Sequence, residues 1–199
     1  MNNTIKKYKQ LIINITYVFN FIIGAIKIIL SILSKSVLLF IYAFYNIGIG
    51  IAKGTAIKKS DNYKRYYLSS IIVLFSSLFY VLYSIGICLY GSNKKYNKYV
   101  AIAIATFTFI DITFSIIEIF KSKKIKDIKN NCIKQINFAS SLISMSLTQT
   151  ALLSFTTEKD MSLFYGIGGV FFGSLSIFMS IYMIIYICHY KKVNSKIID

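Results

Sequence analysis

Stretches of about twenty mostly apolar residues recur from near the start of this chain to near its end. Each is long enough, as an α-helix, to cross a hydrocarbon layer about 30 Å thick. Lipid offers no partner for a bare amide or carbonyl, so helices that close their own hydrogen bonds are the natural solution. Composition argues against a soluble alternative: 56% of the residues are hydrophobic and only seven are acidic, too few polar groups for a wetted surface. The chain reads as all-α, a single polytopic membrane domain covering residues 1–199.

Six spans can be drawn, at Leu11–Leu33, Ser36–Ala56, Tyr66–Tyr90, Tyr99–Phe120, Ile133–Phe155 and Leu163–Tyr186. The first lacks a small-residue cleavage site and is too long for a signal segment, so it is expected to be retained. The fifth is diluted by Asn137, Ser141, Ser144, Thr148 and Gln149. Charge placement decides whether it counts. Lys6, Lys7 and Lys9 precede span one; Lys53, Lys58, Lys59, Lys64 and Arg65 surround the end of span two. Lys121, Lys123, Lys124, Lys126, Lys129 and Lys134 follow span four, and Lys191, Lys192 and Lys196 follow span six. The alternate connections hold only Lys35, then Lys94, Lys95 and Lys98, then Lys159. Basic residues mark cytoplasmic loops, so both termini are expected in the cytoplasm, which requires an even number of crossings and keeps the fifth. The expected location is the cell membrane, multi-pass.

The formal net charge of +16 invites a nucleic-acid partner. Topology and anionic headgroups account for the lysines better, so the expected partner is the lipid bilayer and no nucleic acid. Tyr63, Tyr66, Tyr67, Tyr90, Tyr96, Tyr99, Tyr186 and Tyr190 cluster near the span boundaries, where an amphipathic ring suits the headgroup level. Cys88, Cys132 and Cys188 are too few for a disulfide framework, and none has metal-ligand spacing with the single histidine, His189. Neither a nucleophile elbow, an HExxH helix nor a phosphate loop occurs, so neither enzymatic activity nor a cofactor is expected.

The intramembrane polar residues are where chemistry could sit. In span four, Thr108, Asp111, Ser115 and Glu118 recur at intervals that share one helical face. Asp111 falls near mid-membrane, with Glu118 about 10 Å closer to the cytoplasm. An aspartate at that depth costs about 3 kcal/mol on insertion scales and should face the bundle interior or be protonated. It reads either as a cation or proton site or as a packing carboxylate bonded to neighbouring hydroxyls. Span one carries Lys27 with Asn20 two turns earlier on the same face. Lys27 either pairs inward through a tilt or a water or snorkels to the headgroups. In span five Asn137, Ser141, Ser144 and Thr148 form a stripe that either bonds across helices or lines a wet cavity. Gly48, Gly50 and Gly54 in span two, and Gly166, Gly168, Gly169 and Gly173 in span six, allow close helix contact within the bundle or across a homodimer.

Spans one and two have a further pattern. From Asn20 the chain reads NFIIGAIKIILSILSKSVLLFIYAFYNIGIGIAK. This resembles the opening helices of cation diffusion facilitator transporters, with Asn20, Lys27, Ser34, Ser36, Ala43 and Phe44 at the matching positions. The resemblance implies a six-span, cation-efflux-like membrane half with cytoplasmic ends. It also implies metal ligands one turn apart in the second helix, where this chain has Tyr45 and Ile49, with Tyr42 in place of the preceding aspartate. The family's fifth helix brings a second His/Asp pair, yet span five contains neither residue type, and a counterpart of the family's cytoplasmic metal-binding domain is not expected. The expectation is a transporter-like protein moving a cation or proton through a non-standard site. Asp111 would be its acid, and Tyr42, Tyr45, Asn46, Ser141, Ser144 and Thr148 would line the path. The alternative is a non-transporting scaffold or regulator that keeps the fold.

Overall fold

A computed structural model describes residues 37–58, 61–91, 128–156 and 161–195, with single helical positions between 18 and 32 and between 98 and 113. Four long helices make up the described part: α1 (Val37–Ile57), α2 (Asn62–Tyr90), α3 (Ile128–Thr156) and α4 (Ser162–Ser195). They correspond to spans two, three, five and six. No strand occurs among the described residues.

Local chemistry sets the ends of α2. Asp61 caps its start, accepting from the backbone N–H of Tyr63 at 3.0 Å and of Lys64 at 3.4 Å. Gly91 ends it with a φ of 76°, and its N–H donates to the Ile87 carbonyl at 2.9 Å. That positive φ is cheap only for glycine.

The contacts between helices fix direction. Tyr63 meets Tyr190, Tyr66 meets Tyr186, and Ser77 meets Ser176. Nearer the other end, Ser84 lies against Gly169 and Cys88 against Gly166. Rising numbers on α2 therefore face falling numbers on α4, and the two run antiparallel in one register along their whole contact, the most extensive in the bundle. α1 is antiparallel to α2, pairing Ser69 with Ala52 and Tyr80 with Tyr42, and also to α3, pairing Lys129 with Ile57 and Ala139 with Tyr45. α2 and α3 consequently run parallel, as Tyr66 with Gln135 and Tyr80 with Ser146 require.

One end of the bundle is thus formed by the end of α1, the starts of α2 and α3 and the end of α4. It carries Lys53, Lys58, Lys64, Arg65, Lys129, Lys134, Lys191 and Lys192. At the opposite end the four helices bring no described cation. On span one, Phe21 lies against Gly50 and Gly24 against Ile47, so these positions run antiparallel to α1 with the earlier residue toward the basic end.

Polarity is arranged inside out. The buried face of α2 is Tyr66, Ser69, Ser70, Val73, Ser76, Ser77, Tyr80, Ser84 and Ile87, while Phe75 and Leu82 stand 68% and 66% exposed. α4 repeats this, with Ser176 and Ser180 buried and Phe178 68% exposed. A protein folding in water does the reverse. α1, α2 and α4 are each long and apolar enough to cross a membrane, over Phe40–Ile57, Asn62–Tyr90 and Ser162–Val193. α3 does not meet that standard alone. From Ile128 to Ser154 it has no exposed side chain among those described, and it packs against α1, α2 and α4. A helix wrapped in protein needs no apolar coat, so its hydroxyl-rich sequence is compatible with membrane depth.

One tyrosine departs from the boundary pattern. Tyr66 is buried and donates its hydroxyl to Gln135 Oε1 rather than facing headgroups, and its ring packs 6.0 Å from that of Tyr186. Tyr90, by contrast, is 90% exposed at the end of α2.

Candidate functional site

The polar centre of the described bundle is built by three tyrosines, two from α1 and one from α2, and a serine from each of α2, α3 and α4. Tyr42 and Tyr45 lie one turn apart on α1 and so share a face. That face meets Tyr80 of α2, with ring centroids 5.3 and 6.1 Å away, tilted by 53° and 58°. All three rings are buried.

Their hydroxyls form two directed chains. Tyr80 donates to Ser146 Oγ at 2.7 Å, which uses its only proton, so the 2.7 Å contact with Tyr42 must have Tyr42 donating. Tyr45 donates to the Ala139 carbonyl at 3.1 Å, so in its 3.3 Å contact with Ser176 the serine donates. Ser77 then donates to Ser176 at 2.7 Å. One chain runs Tyr42 to Tyr80 to Ser146 and the other Ser77 to Ser176 to Tyr45 to Ala139. Tyr80, Ser176 and Tyr45, inside the chains, each donate one bond and accept another, which satisfies these buried hydroxyls without any charge.

Spacing explains why the sequence folds this way. Ser70, Ser77 and Ser84 recur every seventh residue on α2, each followed three residues later by a larger side chain, Val73, Tyr80 and Ile87. On α4 the series Gly166, Gly169, Gly173, Ser176, Ser180, Met183, Ile187 alternates steps of three and four. Such a period keeps a narrow seam of small residues facing the partner helix. Cβ atoms added at Gly166, Gly169 and Gly173 would run into Cys88, Ser84 and the Tyr80–Val81 pair, and one at Gly48 into Ser76. These glycines therefore provide close contact within one chain.

The sequence-derived site residues divide accordingly. Tyr42 and Tyr45 are brought together, joined by Tyr80, Ser77, Ser146 and Ser176, which the sequence reading missed. The seven-residue recurrence of serines in span three was the available signal. Asn46 is buried beside them on α1. Ser141 donates to the Phe138 carbonyl at 2.8 Å and Thr148 to that of Ser144 at 3.2 Å, so both bond to their own helix. Ser144 is half-buried. Asn20, Lys27, Asp111 and Glu118 lie outside the described residues.

The resemblance to cation diffusion facilitators places the first metal ligand at Tyr45 and the second at Ile49. The Tyr45 hydroxyl is engaged with Ala139 and Ser176, and Ile49 is fully buried in the hydrophobic core. Neutral hydroxyls supply neither the carboxylate nor the imidazole that a divalent transition metal requires. Among the described residues no group of three histidine, cysteine, aspartate or glutamate side chains comes together.

A hydroxyl-bonded interior beneath an apolar exterior, on helices long enough to span, defines a helical membrane protein. No family model, curated protein or solved structure matches the chain.

Proposed function

We propose that the chain is a six-span membrane protein with the layout of a cation-efflux membrane half, acting as a membrane-embedded scaffold or regulator rather than a divalent-metal carrier. Three features favour six crossings. The basic residues gather at one end of the described bundle, as cytoplasmic ends do. α2 and α3 run parallel, so the stretch 91–127 has to return along the bundle, a distance of about 40 Å that one further span would cover. The described positions of span one run antiparallel to α1 with the earlier residue toward the basic end, the direction that termini on one side would require.

The observation that carries the scaffold reading is the commitment of Tyr45. Its hydroxyl lies where the resemblance expects a cation ligand, yet it spends its proton on a backbone carbonyl inside a fully buried chain of hydrogen bonds. Opening that position to an ion would leave the Ser176 proton without its acceptor in a low-dielectric interior. Reconstitution in vesicles loaded with a zinc- or pH-sensitive dye tests this. Flux of Zn²⁺ and of protons should equal that of protein-free vesicles. Flux above that level, lost in Asp111→Asn, would replace the scaffold reading with transport through span four.

A further inference from the structure

A groove of about 550 Å³ opens on the outer face of the bundle, where Val18 and Phe21 of span one lie against the last turns of α1. Its walls are Val18, Phe21, Ile51 and Ile57, with Gly54 leaving room between them. Val18 and Ile51 are about half exposed, on a surface suited to hydrocarbon. Thr55 turns its hydroxyl back onto its own helix, donating to the Ile51 carbonyl at 2.9 Å, so it adds no free donor to the groove. Among the described lining residues the one charged side chain is Lys58, exposed at the end of the groove that meets the basic end of the bundle. Lys64 and Arg65 stand at the same end.

We propose that this groove is a binding site for an anionic phospholipid, with one acyl chain along the apolar walls and the phosphate at Lys58. The ligand chemistry follows from the order of the lining: a hydrocarbon-compatible trough, open sideways to the membrane, ending in a cation at headgroup depth. A zwitterionic lipid would fit the trough but would gain less from the cationic end. The site rests on the membrane location and on the basic end lying among headgroups, not on whether the protein transports anything.

The natural sequence contains no tryptophan, so a single reporter can be placed without background. Val18→Trp puts an indole at the groove, and Phe178→Trp puts one on the exposed face of α4 as a control. Quenching is measured with acyl-brominated phosphatidylglycerol against acyl-brominated phosphatidylcholine in vesicles of mixed composition. The Val18 reporter should show about a fivefold preference for the anionic lipid, the discrimination one lysine gives at a charged surface. The preference should fall to about one in the Lys58→Gln background and be about one at the control position. Added inorganic phosphate should leave it unchanged. Equal quenching by the two lipids at Val18, a preference that survives Lys58→Gln, an equal preference at the control, or displacement by inorganic phosphate would each overturn the proposal.

Discussion

Alanine in place of glycine adds the same methyl group at Gly86 of α2 and at Gly166 of α4, and the two changes should move stability in opposite directions. At Gly86 nothing lies within 4 Å of the position a Cβ would occupy. Only the backbone preference acts there, and it favours alanine by up to about 1 kcal/mol. At Gly166 a Cβ would lie 2.8 Å from the backbone nitrogen of Cys88 and 2.9 Å from the carbonyl oxygen of Ser84. The Cys88 side chain can rotate away, but the two main-chain atoms cannot. The helices must part by about 0.7 Å to restore ordinary contact near 3.5 Å. A gap of that size forfeits about a third of the attraction of each facing atom pair, individually ~0.1–0.2 kcal/mol. Over some tens of pairs along the α2–α4 seam the loss reaches about 2 kcal/mol, and the 2.7 Å Ser77–Ser176 bond lengthens with it. Subtracting the backbone gain leaves a net destabilisation of ~1–2 kcal/mol. Cys132, 1% exposed, provides the readout. Its alkylation by a maleimide during a temperature ramp in detergent, followed peptide by peptide, marks unfolding. The midpoint should fall for Gly166→Ala and stay level or rise for Gly86→Ala. Equal midpoints for the two variants would refute the packing argument.

Other outcomes follow from the same contacts. Tyr80→Phe and Ser146→Ala should each destabilise the bundle, and the double-mutant cycle by the same alkylation assay should give a coupling of about 0.5–1.5 kcal/mol, the usual range for hydroxyl bonds between membrane helices. Asp61→Ala removes the cap of α2 and should cost about 1 kcal/mol, seen as faster amide exchange at Tyr63 and Lys64 with the far end of the helix unchanged. Reporter fusions at residues 1 and 199 should both be active in the cytoplasm; opposite compartments would remove the six-span arrangement.

How far the sequence foretold this structure depends on what each segment hides. The apolar spans were plain because their outer faces are built for hydrocarbon: Phe75, Phe79 and Leu82 mark α2 as clearly in the sequence as in the fold. Boundaries were less plain. The sequence reading starts span three at Tyr66, where apolar residues begin, but Asp61 starts the helix one turn earlier in a basic, polar segment. α4 likewise continues from Tyr186 to Ser195, since lysines do not stop a helix once it leaves lipid. The polar core was the hard part. Hydrophobicity identifies interiors in water, whereas here Ser70, Ser77 and Tyr80 line the inside, and a serine on α2 looks the same whichever way it faces. Asn137, Ser141, Ser144 and Thr148 attracted attention because they dilute an apolar run. Yet Ser146, with no greater prominence in the sequence, receives the Tyr80 proton. Long-range pairing of that kind, between residues 66 positions apart, leaves no local mark.

The seam between α2 and α4 also limits how such a molecule can move. Small residues alternate with larger ones at a seven-residue repeat, so sliding one helix past the other by a single position would drive a tyrosine or valine side chain onto main-chain atoms. The nearest alternative alignment with the same pattern lies two full turns away, about 10 Å. The two helices must therefore travel as one stiff rib, and among the four described helices any breathing has to take place where α1 and α3 lean against it.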